Sequence, residues 1–165
     1  MFMKWTAFLF ALFLLASCKT DYYIVRHAER LNNSDTTSLS DAGFIRAGAL
    51  KDLLINKGID SIVASNRKRT QQTAKPLATA LGKTLRLYDP DTTNLLITAL
   101  KKISNRQVLV VGHSDNVPVI VQGLSGRSIS PIGATDFDNL YIVRVKKFFG
   151  TRRTLTSTTY GAPSP

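Results

Sequence analysis

Short, nearly unbroken apolar runs alternate along this chain with segments whose apolar residues recur every three or four positions. Tyr22-Tyr23-Ile24-Val25 is continuous and β-branched, the pattern of a parallel strand buried on both faces. Ser61-Ile62-Val63-Ala64, Leu85 to Leu87 and Val108-Leu109-Val110-Val111 repeat it. Between them, Ser40 fits a helix N-cap, followed by Ala47, Leu50, Leu53 and Leu54 at helical spacing, with Gly58 as the stop. Thr70 to Leu81 predicts a second helix, closed by Gly82 and bent or begun by Pro76; Thr93 to Ile103 predicts a third. Val117 to Leu124 predicts a fourth, with Pro118 in its first turn, where proline is tolerated. Asn32 to Ser38 is polar and loop-like, and Leu140 to Val145 with Thr154 to Tyr160 make a closing hairpin around Gly150. Strands alternating with helices predict an α/β three-layer sandwich, a mainly parallel central sheet flanked by helices.

The N-terminus follows a different pattern. Lys4 precedes an apolar stretch from Ala7 to Ala16, too short for a comfortable transmembrane helix, which ends in Leu15-Ala16-Ser17-Cys18. That end resembles a bacterial lipobox, and Cys18 is the one cysteine of the chain. The expectation is a signal peptide over 1–17, a lipidated Cys18 with a short tether over 18–21, one domain over 22–160 and a flexible end over 161–165. The protein is then anchored in the bacterial cell envelope through its lipid, with Lys19 after the cysteine favouring the outer membrane. No disulfide is open to the mature chain. About 148 residues remain for the domain, enough for a real core.

Charge narrows the partners. Of 165 residues, 22 are Lys or Arg and 11 are Asp or Glu, a formal +11; 44% are hydrophobic and 20% charged, the balance of a globular protein. The excess favours anions: phosphorylated metabolites, glycan, lipid or nucleic acid. No nucleic-acid motif and no basic run with interleaved aromatics accompanies it, so no nucleic acid is expected.

The chain has two histidines, and each follows a predicted strand: His27 in Val25-Arg26-His27-Ala28-Glu29-Arg30, and His113 in Gly112-His113-Ser114. Ligands of open α/β sheets bind at that carboxyl edge. A second basic cluster, Arg67-Lys68-Arg69, follows the Ser61–Ala64 strand and enters a helix whose first-turn N–H groups favour anions. Arg26, His27, Arg69 and His113 thus converge on one edge. Arg67 and Lys68 read as an exposed helix start. Two histidines without a cysteine or acidic ligand pattern do not make a zinc site, and no cofactor is expected.

Here the chain resembles the histidine phosphatase superfamily, with its phosphoglycerate mutase-like fold. Arg26-His27-Ala28 matches the family's Arg-His-Gly or Arg-His-Ala. Asn33 matches its asparagine seven residues on, and Leu39-Ser40-Asp41-Ala42-Gly43 its Leu-Ser-x-x-Gly. Arg69-Thr70-Gln71-Gln72-Thr73-Ala74 matches Arg-x-x-Gln-Thr-Ala, and Gly112-His113 the closing Gly-His. The resemblance implies a metal-independent phosphatase that hydrolyses phosphomonoesters or phosphohistidine, with His27 as nucleophile. Arg26, Arg69 and His113 then bind the transferring phosphoryl group, and Asn33 touches it. For the acid that protonates the leaving oxygen, the segment holding Asp89 and Asp91 is the first choice, with Asp89 preferred; Glu29 and Asp115 are alternatives.

The short stretch from Asp89 to Arg106 leaves little room for a capping subdomain, so an open pocket is expected. That suits a phosphorylated small molecule, a glycan or a phosphoprotein, and disfavours a mutase, which must shield its intermediate from water. Two rivals stand beside this reading. One is a non-catalytic anion-binding lipoprotein; the other is a basic envelope protein using Arg144, Lys146, Lys147, Arg152 and Arg153 around the hairpin.

Overall fold

The computed structural model describes residues 18–164, so the expected signal peptide lies outside the described residues. In chain order the elements are β1 (Cys18–Arg26), α1 (Asp41–Leu54), β2 (Ser61–Ser65), α2 (Lys68–Ala80) and β3 (Leu85–Tyr88). A 3₁₀ turn (Pro90–Thr92) then leads to α3 (Thr93–Lys101), β4 (Gln107–Gly112), α4 (Asn116–Ser125), β5 (Asn139–Lys147) and β6 (Thr151–Thr159). One six-stranded sheet has the order β3-β2-β4-β1-β5-β6. The first four strands are parallel, and β5 runs antiparallel to both β1 and β6.

The middle of the sheet is covered on both faces, which is why Tyr22–Val25, Ile62–Ala64 and Val108–Val111 are apolar at every position. Successive side chains point to opposite faces. Tyr23 and Val25 pack with Leu50 and Leu54 of α1 and Leu77 of α2. Tyr22 and Ile24 pack with Leu96 and Leu100 of α3 and Ile120 and Leu124 of α4. The expected three-layer architecture is the observed one. Ser40 caps α1 as predicted, its side chain accepting the Gly43 N–H at 3.2 Å. Pro76 lies inside α2 rather than in its first turn, and α3 stops at Lys101, two residues before Ile103.

Both ends of the domain differ from expectation. Residues 18–21 are not a tether but the start of β1, in register with β5 from Cys18↔Lys147 onward. Their polar sequence hides this because the partners come from far along the chain. The carboxylate of the buried Asp21 accepts from Arg144 Nε at 2.7 Å and lies 3.1 Å from Lys19 Nζ. Burial pushes the Asp21 carboxyl up, but these two cations outweigh it and hold it below the usual carboxylate range. The C-terminal segment is likewise tied down. Ser164 Oγ accepts from the Phe137 and Asp138 amides, Ser164 N donates to Asp138 Oδ2, and Arg46 donates to the Ala162 carbonyl.

Candidate active site

β1 and β4 lie side by side with Arg26 opposite Gly112, so the next residue on each strand is a histidine. The His27 N–H donates to the Gly112 carbonyl at 2.9 Å, and the two imidazole centroids are 5.3 Å apart at 64°. β2, on the far side of β4, delivers Arg67 and Arg69 to the same edge through the start of α2. Arg26, His27, Arg69 and His113 are all buried and together line a cleft of about 290 Å³.

Hydrogen bonding sets the state of each imidazole. His27 Nδ1 is 2.7 Å from the Ala28 carbonyl oxygen, which can only accept; Nδ1 therefore carries the proton and Nε2 keeps its lone pair. Burial pushes this imidazole down to about 3, with the His113 and Arg26 charges adding to the effect and the Ala28 bond opposing it. His113 Nε2 lies 2.7 Å from Ser65 Oγ, while its Nδ1 faces Arg69 Nη2 at 3.4 Å. A guanidinium only donates, so Nδ1 is the acceptor and Nε2–H donates to Ser65. Burial, followed by Arg69, lowers His113 to about 4. Both rings are neutral at pH 7.

The arginines are held by backbone oxygens, not by carboxylates. Arg26 Nη1 donates to the Gly133 and Asp136 carbonyls at 2.6 and 3.0 Å, with its guanidinium 4.2 Å over the Phe137 ring. Arg69 Nη1 donates to the Asp35 carbonyl at 3.0 Å. Among the described residues their charges have no direct ion pair. The buried Nε atoms of both have no hydrogen-bond partner among the described residues. Both guanidinium groups line the cleft, where forked donors without a carboxylate partner suit an anionic acceptor.

Each motif has a local mechanical reason. Thr73 Oγ1 accepts the Ala28 N–H at 3.0 Å and donates to the Arg69 carbonyl, locking the residue after His27 to the helix that carries Arg69. Gln72 Oε1 accepts from Ser38 Oγ and the Leu39 N–H, both at 2.9 Å, and pins the preceding loop. A Cβ on Gly43 would overlap the Glu29 carbonyl, so only glycine lets α1 pack there. A Cβ on Gly112 would lie 2.5 Å from Asn116 Oδ1, the atom that accepts the His113 N–H.

Three of the predicted site residues lie elsewhere. Asn33 is exposed and does not line the cleft; its loop reaches the site through Asp35 instead. Glu29 is held by Arg46, whose Nε and Nη2 donate to it at 2.9 and 2.7 Å. Asp89 points its Oδ1 at the Asp91 N–H, capping the 3₁₀ turn outside the cleft. Asp91, two residues on, does line it, as does Asp115. Arg67, expected as solvated, lines the cleft together with Arg30, which the sequence reading left unassigned. The available signal for Arg67 was its place just before the first turn of a helix at the carboxyl edge. Arg30 carried none beyond its closeness to His27.

These features define an α/β protein with a neutral histidine pair in an arginine-lined cleft at the carboxyl edge of its sheet. Residues 22–90 match the model of the Histidine phosphatase superfamily (branch 1). The Probable phosphoglycerate mutase GpmB proteins of Yersinia pestis (strain Pestoides F) and Yersinia pseudotuberculosis (strain YPIII) are 36% identical to the protein over 75 residues, 41% of this chain. The chain covers 34% of the length of those curated relatives. The fold matches that of the protein histidine phosphatase SixA complexed with tungstate, with a TM-score of 0.68 and 19% identity over 84% of this chain and 96% of that one. It also matches the mycobacterial glucosyl-3-phosphoglycerate phosphatase, with a TM-score of 0.65 and 13% identity over 87% of this chain and 100% of that one.

Proposed function

We propose that the protein is a metal-independent phosphatase that forms a phosphohistidine on His27 Nε2. The observation that carries this is the Nδ1 bond to the Ala28 carbonyl, which fixes the tautomer with a bare Nε2 beside two under-paired arginines. In the first step the Nε2 lone pair attacks phosphorus and the bond from phosphorus to the leaving oxygen breaks. The leaving oxygen takes its proton from the protonated form of Asp115, whose carboxyl lines the cleft beside His113. Water then attacks phosphorus, its proton returns to Asp115, and the P–N bond breaks to restore His27. Arg26 and Arg69 offset charge on the equatorial oxygens throughout. A phosphoryl dianion favours the protonated form of His113, whose Nδ1 then becomes a further donor.

Hydrolysis is favoured over return of the phosphoryl group to substrate. The β3–β4 connection is spent on α3, whose apolar face packs into the core beneath the sheet, so it is not a cover for the cleft. A second depression, lined by Arg67, Lys68 and Lys75, shares Asp35 and Arg67 with the cleft and suits the remainder of a bulky anionic substrate, a phosphoprotein segment or a glycan. The protein is anchored in the cell envelope by lipid on Cys18. Mass spectrometry of membrane-fraction protein checks the anchor, which an intact Met1 or an unmodified Cys18 refutes.

The chemistry is tested by rapid quenching into alkali, where phosphohistidine survives, followed by peptide mapping. Label is expected on the His27 peptide, absent in His27→Ala, with turnover persisting in excess chelator. Label on serine, aspartate or His113 overturns the mechanism, as does activity lost to chelator and restored by a divalent ion. Tungstate binding without hydrolysis of any phosphomonoester or phosphohistidine peptide would make the protein an anion-binding lipoprotein instead.

A further inference from the structure

At the end of the sheet opposite the cleft, the β5–β6 hairpin turns through Phe148, Phe149 and Gly150. Phe149 is 98% exposed and Phe148 44%, and their rings meet edge to face at 4.6 Å. Phe149 also has φ 40°, a left-handed conformation that disfavours an aromatic residue. A strained backbone and a solvated Phe149 ring both cost stability, and the Phe148 ring, itself part-exposed, is the aromatic partner that Phe149 has among the described residues. Around the tip lie Lys146, Lys147, Arg152 and Arg153, all exposed; none of the four has a salt bridge among the described residues. From Asn139 to Pro165 the chain has no acidic residue at all.

The position of Cys18 gives this tip a partner. Cys18 is paired with Lys147, immediately before Phe148, and β1 begins there with no tether. The apolar run from Ala7 to Ala16 precedes it directly in sequence. Whether the chain is held by that run or by lipid on Cys18, the bilayer begins within a few residues of the hairpin tip. We infer that the tip docks on an anionic lipid bilayer, Phe148 and Phe149 entering the interfacial region while Lys146, Lys147, Arg152 and Arg153 lie against its phosphates. A polyanion in water would satisfy the charges but offers no apolar phase for the rings. The inference rests on the membrane anchoring proposed above and is independent of the phosphatase chemistry.

The dock sets the orientation of the catalytic edge. Cys18 and Arg26 stand at opposite ends of β1, about 26 Å apart for eight strand steps. The cleft therefore faces the aqueous space, away from lipid headgroups.

The test places a reporter at the tip of the full chain: Phe149→Trp in a Trp5→Phe background, added to vesicles of phosphatidylglycerol and phosphatidylcholine or of phosphatidylcholine alone. On anionic vesicles the emission shifts to shorter wavelength and is quenched by lipids brominated near the headgroup end of the chain. Reversing Lys146, Lys147, Arg152 and Arg153 to Glu abolishes the shift and lowers partition at least about tenfold, with the thermal melt confirming that the variant is folded. Solvent-like emission from vesicle-held protein, equal behaviour on zwitterionic vesicles, or no vesicle association each overturns the inference. So does charge-dependent binding to a soluble polyanion with no effect of vesicles on the emission. Labelling of His27 in detergent reports separately on the phosphatase reading.

Discussion

Glu29, two residues beyond His27, is clasped by Arg46, and the same guanidinium donates through Nη1 to the carbonyls of Tyr160 and Ala162. A carboxylate that stood as an alternative proton donor forms half of a strut that ties the segment after His27 to α1 and the C-terminus. Removing Arg46 strands a partly buried carboxylate and two carbonyls. Arg46→Ala is expected to lower stability by about 3 kcal/mol, read by urea unfolding. Glu29→Gln keeps the shape and should retain turnover in the folded protein; a hundredfold loss there would return Glu29 to the chemistry.

Arg26→Ala and Arg69→Ala should each reduce kcat/KM by about two orders of magnitude, roughly 3 kcal/mol of transition-state stabilisation. Both side chains bond only to loop carbonyls and cleft groups, so the fold should survive. Steady-state kinetics on the folded variants decides this, and near-normal turnover removes that arginine from the phosphoryl site.

An oxyanion that fills the cleft should stabilise the fold by mass action, about 2.7 kcal/mol at a hundred times its Kd. Tungstate or phosphate is expected to raise the Tm of the native protein in a concentration-dependent way. The shift should vanish in Arg69→Ala, which removes a guanidinium that lines the cleft.

Stability should fall on acidification from about pH 6.5 toward pH 4. His27 and His113 fold with pKa values of about 3 and about 4, against 6.5 when unfolded. In that window the unfolded chain binds protons that the folded chain does not, so unfolding is favoured as pH drops. Above pH 7 neither ring contributes a slope. Asp21, held low, acts in the same direction at lower pH, losing its contribution as it protonates below 3.8. Urea titrations at pH 7.5, 6 and 5 check the sign, and a flat profile would show that the rings are not buried as neutral bases.

Gly112→Ala should impair turnover more than stability. The new methyl displaces Asn116 Oδ1, which fixes the His113 backbone at 2.8 Å. A loss in kcat/KM of at least about tenfold is expected, with folding retained because the far end of a side chain must shift. Unchanged kinetics would release Asn116 from positioning His113.

What the sequence carries and what it hides divides along a physical line. The central strands were legible because burial on both faces leaves only apolar residues, and the helices because one face must meet that sheet. The convergence of Arg26, His27, Arg69 and His113 follows from the parallel order, since Arg26 ends a strand, His27 and His113 follow one directly, and Arg69 opens the helix after β2. Polar segments whose partners lie far away were not legible. Cys18–Asp21 is a strand only because Arg144, more than a hundred residues on, neutralises Asp21. The end at Gly161–Ser164 is fixed only because Asp138 and Arg46 reach it. The choice between Asp89 and Asp91 depended on a 3₁₀ turn, where adjacent carboxylates part company: one caps the turn and the other faces the cleft.

The placement of α3 has a kinetic consequence. Because α3 of the β3–β4 connection packs into the body of the fold, that helix does not have to swing aside between one turnover and the next. On the proposed phosphohistidine mechanism, formation or breakage of the P–N bond, rather than opening of that connection, sets the pace, and kcat is then expected to be indifferent to solvent viscosity.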